Sequence, residues 1–349
     1  MDLKNNNHIP LDKFINDSLY NPKKGFYMKK NPFGKDGDFI TSPNISVLFS
    51  EMMALWAVAF WQNLKNPKKI NLIELGGGNG EMLNQMISSF QKFPNFYKSC
   101  NFYLYEISPF LKKIQKNKLK KFNVKWLNNF NQINKYPSIF LANEFFDALP
   151  IKQFIKLNNI WHERYIDLTD KKKPNFINKI INIKNLNSKL GMNYHFKQDF
   201  IEYSPLGVRL IKKISKLIYK NNGGLLILDY GNFETKMFNT LKTIKKHKYE
   251  NFFYKIGESD ISYDLNFLFI KKLLKNLNLR IAGSTTQRNF LLNLGILSRA
   301  EIVSKNMVFS KKADLFYRLQ KLIGERQMGN IFKVFLATSK KTNFNLGFE

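Results

Sequence analysis

The sequence predicts an α/β protein: a doubly wound, mostly parallel sheet with an N-terminal helical extension and an inserted segment on the substrate side. Three observations predict it. Apolar runs of strand length alternate with stretches of helical periodicity along most of the 349 residues. The run Lys69 to Leu75 passes through glycines at 76, 78 and 80 into Met82, Leu83, Met86 and Ile87 at helical spacing, which reads as strand, tight turn and helix. Two further apolar runs end in acidic or amide residues, Glu106 and Asn143-Glu144, where strand tips of such a sheet face a ligand.

Taken in order, residues 1–65 form the extension. Phe14, Ile15, Leu19 and Tyr20 share one helical face, and Asn21-Pro22-Lys23-Lys24-Gly25 breaks it. The stretch Gly34 to Pro43 is too rich in Gly, Asp and Pro to be an element. It reads either as a loop with a helix start at Ser42-Pro43, or as a flap over the ligand with Asp38 and Thr41 as polar fingers. A strong helix follows from Ile45 to Leu64. Residues 66–150 carry the glycine turn, a strand from Asn101 to Tyr105 ending at Glu106-Ile107, a third strand Val124 to Leu127 with Asn128 at its tip, and a fourth from Ser138 to Asn143. The 88–100 segment is expected to be a long loop.

From Ile151 the pattern changes to two β-like runs joined by Asn158-Asn159, a hairpin signal, and 151–202 reads as an insertion whose part from Lys171 to Asn193 is weakly patterned. Residues 203–349 return to the core. They contain a helix through Leu206 to Leu217, a buried strand Leu225 to Asp229, a loop-like region 232–262 with His247 and Asp260 as isolated polar residues, a helix Leu265 to Leu277 and a strand Arg280 to Ser284. A short helix Phe290 to Leu294, a helix Asp314 to Ile323 and a last strand Ile331 to Thr338 complete it.

The formal net charge of +30 has two readings: a polyanion-binding surface, or lysine enrichment that accompanies abundant Asn, Ile and Phe. Lysines spread along the chain rather than in one block disfavour nucleic acid without excluding it. A single cysteine, Cys100, excludes an internal disulfide. With no secretory h-region, no Arg-rich transit pattern and no apolar run of membrane-spanning length, the expected location is cytoplasmic. No Cys/His metal spacing, Walker loop or G-x-S-x-G elbow is present.

The spacing at the glycine turn narrows the ligand. A dinucleotide fingerprint counted from Gly76 needs glycine at 81, where Glu81 stands. The spacing from Glu74 to Gly80, E-x-G-x-G-x-G, instead resembles motif I of class I S-adenosylmethionine methyltransferases, whose cationic cofactor suits acidic neighbours. Taken with Gly37 to Pro43, Glu106-Ile107-Ser108-Pro109, Asn143 to Pro150, Leu228-Asp229-Tyr230-Gly231 and Met328-Gly329, the chain resembles along nearly its whole length one family of these enzymes. It is the family of the mitochondrial complex I assembly factor that acts on a protein arginine, with its bacterial relatives.

That resemblance implies a Rossmann-like methyltransferase core, S-adenosyl-L-methionine as cofactor, and a protein arginine as acceptor, in a respiratory complex I subunit. It implies Glu74, Gly76, Gly78, Gly80, Glu106, Ile107, Asn128, Asn143, Asp38 and Thr41 as cofactor contacts, and Glu144, Asp147 and Asn143 as catalytic residues. Three segments depart from the family pattern: Gly77 and Asn79 replace Pro and Arg in the turn, Asn128 replaces an acid, and Ile256-Gly257 replaces Pro-Gly. An RNA or small-substrate methyltransferase, and a non-catalytic assembly factor with the same fold, are the alternatives.

Overall fold

The computed structural model describes residues 7–34, 41–170, 172–192, 194, 197–245 and 248–348. Asp38 and His247 lie outside the described residues. Seven long strands make the main sheet: β1 (Ile70–Leu75), β2 (Cys100–Tyr105), β3 (Val124–Leu127), β4 (Ser138–Asn143), β5 (Gly223–Asn232), β6 (Arg280–Thr286) and β7 (Phe332–Thr338). Their order is β6-β7-β5-β4-β1-β2-β3, with all neighbours parallel except β7, which is antiparallel to β5 and β6.

Both faces of this sheet are covered, so β1 and β4 are buried at every residue. Alternation divides their side chains between two cores. Leu72, Ile139, Leu141 and Leu226 pack with the helices Val47–Asn63 and Glu81–Phe90, while Ile73, Phe140, Leu225 and Ile227 pack with Leu11–Tyr20 and Pro205–Asn221. The register aligns Leu75 with Tyr105 and with Ala142, and Asn143 with Leu228. The carboxyl ends of β1, β2, β4 and β5 therefore share one rim. Chain order runs outward from β1 to β3 and then jumps back to β4 on the other side of β1, a topological switch point at that rim.

The hairpin at Asn158-Asn159 is present, both residues with positive φ as a two-residue turn requires. Its strands Lys152–Leu157 and Ile160–Asp167 belong to a second, antiparallel sheet with Phe200–Tyr203, Asn175–Ile180 and, from the N-terminal extension, His8–Pro10. Three expectations are corrected. The supposed 88–100 loop contains the helix Pro94–Ser99, started by its proline. The unpatterned Lys171 to Asn193 stretch holds a strand, Asn175–Ile180, and a helix, Ile183–Leu190; that strand is exposed on nearly every residue and so lacks alternation. Within the supposed loop 232–262, the strands Lys242–Lys245, Lys248–Glu250 and Asp260–Ser262 form a small third sheet.

Candidate functional site

Gly76, Gly78 and Gly80 all have positive φ, 66°, 52° and 78°. At Gly76 a Cβ would lie 2.6 Å from the Phe145 ring, so the turn after β1 and the turn after β4 are in direct contact and only glycine fits between them. Glu81, which opens the following helix, is paired with Lys118. Asn79 donates to Asn44 Oδ1 at 2.9 Å and ties the turn to the Thr41–Ser46 segment. Thr41 is the N-cap residue of the short helix Ser42–Ile45, and its Oγ1 accepts from Asn44 Nδ2 at 2.6 Å.

Glu74 continues the buried row of Ile70 and Leu72 beneath the turn rather than opening onto a cavity. It accepts the backbone N–H of Leu83, while its Oε2 has no hydrogen-bond partner among the described residues. Burial, with the Glu106 charge nearby, pushes its carboxyl up to about 8. Glu106 is at the rim. Its Oε1 accepts the backbone N–H groups of Ile107 and Ser108 at 2.8 and 2.9 Å, and its Oε2 accepts Gln115 Nε2 at 3.2 Å. Gln115 also donates to the Gly78 carbonyl and accepts from Trp126 Nε1, so one buried amide joins the glycine turn, the β2 tip and β3. Sequence reasoning missed Gln115 because a lone polar residue in a lysine-rich helix carries no signal. Asn128, by contrast, is exposed and faces Lys112, outside the cavity lining.

After β4 the chain turns sharply. Glu144 has φ +51°, a left-handed conformation unusual for a residue with a side chain. The turn is held from β5: the fully buried Asp229 accepts the N–H groups of Phe146 and Asp147 on Oδ2 (3.0 and 3.3 Å) and that of Tyr230 on Oδ1 (2.9 Å). Glu144 Oε1 accepts Ser42 N at 3.2 Å and Asn143 Nδ2 at 3.1 Å, so the segment beginning at Thr41 reaches the β4 tip. Asn143 Oδ1 and Asp147 Oδ1 are buried with no hydrogen-bond partner among the described residues. Burial, reinforced by Asp147, pushes Glu144 up to about 8. Asp147 and Asp229 form a coupled buried pair, both raised above the usual carboxylate range chiefly by burial.

Two cavities meet here. The first lies against Gly76, Gly78, Glu106, Ile107 and Phe145. The second is lined by the carboxylates of Glu144, Asp147, Asp260 and Asp264, with Lys242, Lys248 and Thr41 on its walls. Glu144, Tyr27 and Phe33 line both. Asp260, an isolated acid in the sequence, is brought here by the third sheet, where burial raises it to about 7. Glu74, Gly80, Asn128 and Asn143 line neither cavity; Gly80 starts the helix Glu81–Phe90, and Glu74 and Asn143 lie below the rim.

A family model of S-adenosyl-L-methionine-dependent methyltransferases matches residues 52–285, two thirds of the chain. The chain belongs to that family. Curated relatives include the Xenopus laevis mitochondrial protein arginine methyltransferase NDUFAF7, 29% identical over 95% of this chain and 82% of the relative. The Homo sapiens NDUFAF7 is 26% identical over 95% of this chain and 80% of its own length. A Burkholderia thailandensis protein solved bound to S-adenosyl-homocysteine superposes with a TM-score of 0.82 at 22% identity, covering 98% of this chain and 90% of that one. The fold is accordingly the class I methyltransferase fold.

The residues of this methyltransferase fit its cofactor. Gly76 and Gly78, with bare Cα atoms, let the backbone close on a ligand without phosphates, and the Glu106 carboxylate stands on the same cavity, suited to a ligand that carries hydroxyl donors and positive charge.

Proposed function

We propose that this S-adenosyl-L-methionine-dependent methyltransferase transfers the methyl group to an arginine side chain of a protein, and that the protein is a subunit of respiratory complex I. One observation carries the acceptor class: the second cavity, which shares Glu144 with the cofactor cavity, is lined by four carboxylates against two lysines, Lys242 and Lys248, and suits a guanidinium. The relatives named as protein arginine methyltransferases support the same reading.

The cofactor, S-adenosyl-L-methionine, supplies an electrophilic methyl carbon. The chain's task is to hold one guanidinium nitrogen in line with it. Glu106 takes a ribose hydroxyl on the lone pair left at Oε2, since Oε1 is engaged by two backbone amides. Gly76, Gly78 and Ile107 close on the ligand from either side, and Thr41 stands at the acceptor cavity. Glu144, through the carboxylate oxygen that Ser42 and Asn143 leave free, grips the guanidinium and draws its charge away from the attacking nitrogen. Asp147 Oδ1, without a partner, accepts the proton that the methylated nitrogen loses.

An acidic acceptor cavity disfavours RNA, whose phosphates its carboxylates repel. No helix among the described residues is long and apolar enough to cross a membrane. We infer a cytoplasmic location from the single, poorly exposed cysteine, although the curated relatives are named mitochondrial; fractionation with a compartment marker tests this. The decisive experiment offers labelled S-adenosyl-L-methionine to purified complex I subunits and, separately, to RNA. Label on an arginine of a subunit is the expected result; label on RNA alone overturns the reading.

A further inference from the structure

The N-terminal extension contributes more than a cover. Tyr27 lies in the short helix Phe26–Lys29 and faces both cavities. Its backbone carbonyl accepts Ser108 Oγ at 2.7 Å, and the same Ser108 Oγ caps the helix Pro109–Lys118 by accepting Leu111 N at 3.2 Å. Tyr27 is thereby pinned beside Glu106. Its ring stacks between Tyr20 (5.6 Å) and Phe33 (6.3 Å), and Phe33 in turn contacts Gly78. On the other side, the Tyr27 hydroxyl donates to Asp260 Oδ1 at 2.7 Å. Tyr20, anchored by its own hydroxyl to the Ala148 carbonyl at 2.8 Å, backs the stack.

We propose that Tyr27 is the residue through which the cofactor site sets the acceptor site: its ring walls the cofactor cavity, and its hydroxyl orients Asp260 as a guanidinium-binding carboxylate in the neighbouring cavity. This rests on the arginine reading given above and deepens it. The ring offers an aromatic surface on the cofactor side, where a cation is favoured. The hydroxyl supplies a donor that favours the ionised form of Asp260, against the burial that disfavours it. Among the other charged groups facing that carboxyl, Asp147 opposes ionisation and Lys242 supports it. Lys242 is itself paired to Asp264, and the Ile261 backbone N–H also donates to the carboxyl, which leaves Tyr27 as the side-chain donor placed on Asp260. One side chain, held by Ser108, Tyr20 and Phe33, thus serves a wall of the cofactor cavity with its ring and a carboxylate of the acceptor cavity with its hydroxyl.

Two substitutions separate ring from hydroxyl. Calorimetry measures the affinity of wild type, Tyr27→Phe and Tyr27→Ala for S-adenosyl-homocysteine, and then, with that ligand saturating, for the peptide acetyl-Gly-Arg-Gly-amide. Tyr27→Phe should leave S-adenosyl-homocysteine affinity within about twofold and weaken the peptide about tenfold, the scale of one hydrogen bond to a charged group. Tyr27→Ala should weaken both. An unchanged peptide affinity in Tyr27→Phe, or an unchanged S-adenosyl-homocysteine affinity in Tyr27→Ala, overturns the proposal. A wild-type chain that binds S-adenosyl-homocysteine but not the peptide overturns the arginine reading instead. The hydroxyl's role is then decided by the Asp260 carboxyl itself, followed by carbon-13 NMR of labelled aspartate with Asp260→Asn as the assignment: its titration should move to higher pH in Tyr27→Phe, and an unmoved titration rejects the role.

Discussion

The two cavities are built in different ways. The cofactor cavity is shaped by backbone: Gly76 and Gly78 in left-handed conformations, the amides that grip Glu106, and a register that brings the tips of β1 and β2 level. The acceptor cavity is mainly side chain: Asp147 after β4, Asp260 and Lys242 from the third sheet, and Tyr27 from the extension, segments more than two hundred residues apart. Backbone geometry tolerates almost no substitution at its glycines, whereas a set of carboxylates can be exchanged one at a time. The first cavity is thus the half that tolerates least change at its glycines, and the second is the half whose side chains can be exchanged.

That contrast can be broken from either side. The largest effect is expected at the shared residue: Glu144→Gln should lower methyl transfer by at least about 100-fold while leaving cofactor affinity within a few-fold, measured by transfer rate and calorimetry. Equal loss of both would mean that Glu144 belongs to the cofactor half. Gly76→Ala should do the reverse, weakening the cofactor tenfold or more, because its Cβ meets the Phe145 ring at 2.6 Å.

The pH dependence comes next. Asp260 rises to about 7 and Glu144 to about 8, and both must be ionised to bind a guanidinium, so kcat/KM for the acceptor should climb on the order of a few hundred-fold between pH 6 and pH 8. Stability should move the other way. Glu74 folds with its carboxyl raised from 4.5 to about 8, so the folded chain holds a proton that the unfolded chain has lost, and stability declines as pH rises through that window. Thermal melts of the ligand-free chain from pH 5 to pH 8 should show this decline, to which Glu144 and Asp260 add with the same sign, and Glu74→Gln should make it shallower. The smallest effect is expected at Asn128, exposed and outside the lining: Asn128→Ala should change cofactor affinity less than twofold.

The same contrast explains what could be read from the chain. The strand-turn-helix at Glu74 to Ile87 and the strand tips at Glu106 and Asn143 are local signals, each contained in a dozen residues, and the sheet followed from them. Asp229 and Asp260 become functional only through tertiary placement; nothing within ten residues of either announces a partner on another element. Asn128 misled because a polar strand tip predicts position along the rim but not the direction of its side chain. Glu74 misled by one step: its alternation parity with Leu72 puts it below the turn, a consequence available from the period of two but subordinate to the motif that contains it.

The pairing of His8–Pro10 with Tyr165–Asp167 has a consequence in time. During synthesis the N-terminal helix, with Phe14, Ile15 and Leu19 on its apolar face, emerges long before the strand that receives its leading end. At about 5–20 residues per second, the intervening ~150 residues take on the order of ten seconds. For that interval the helix lacks the strand that receives its leading end, and its apolar face is covered in stages as Ile73, Phe140 and finally Ile166 emerge.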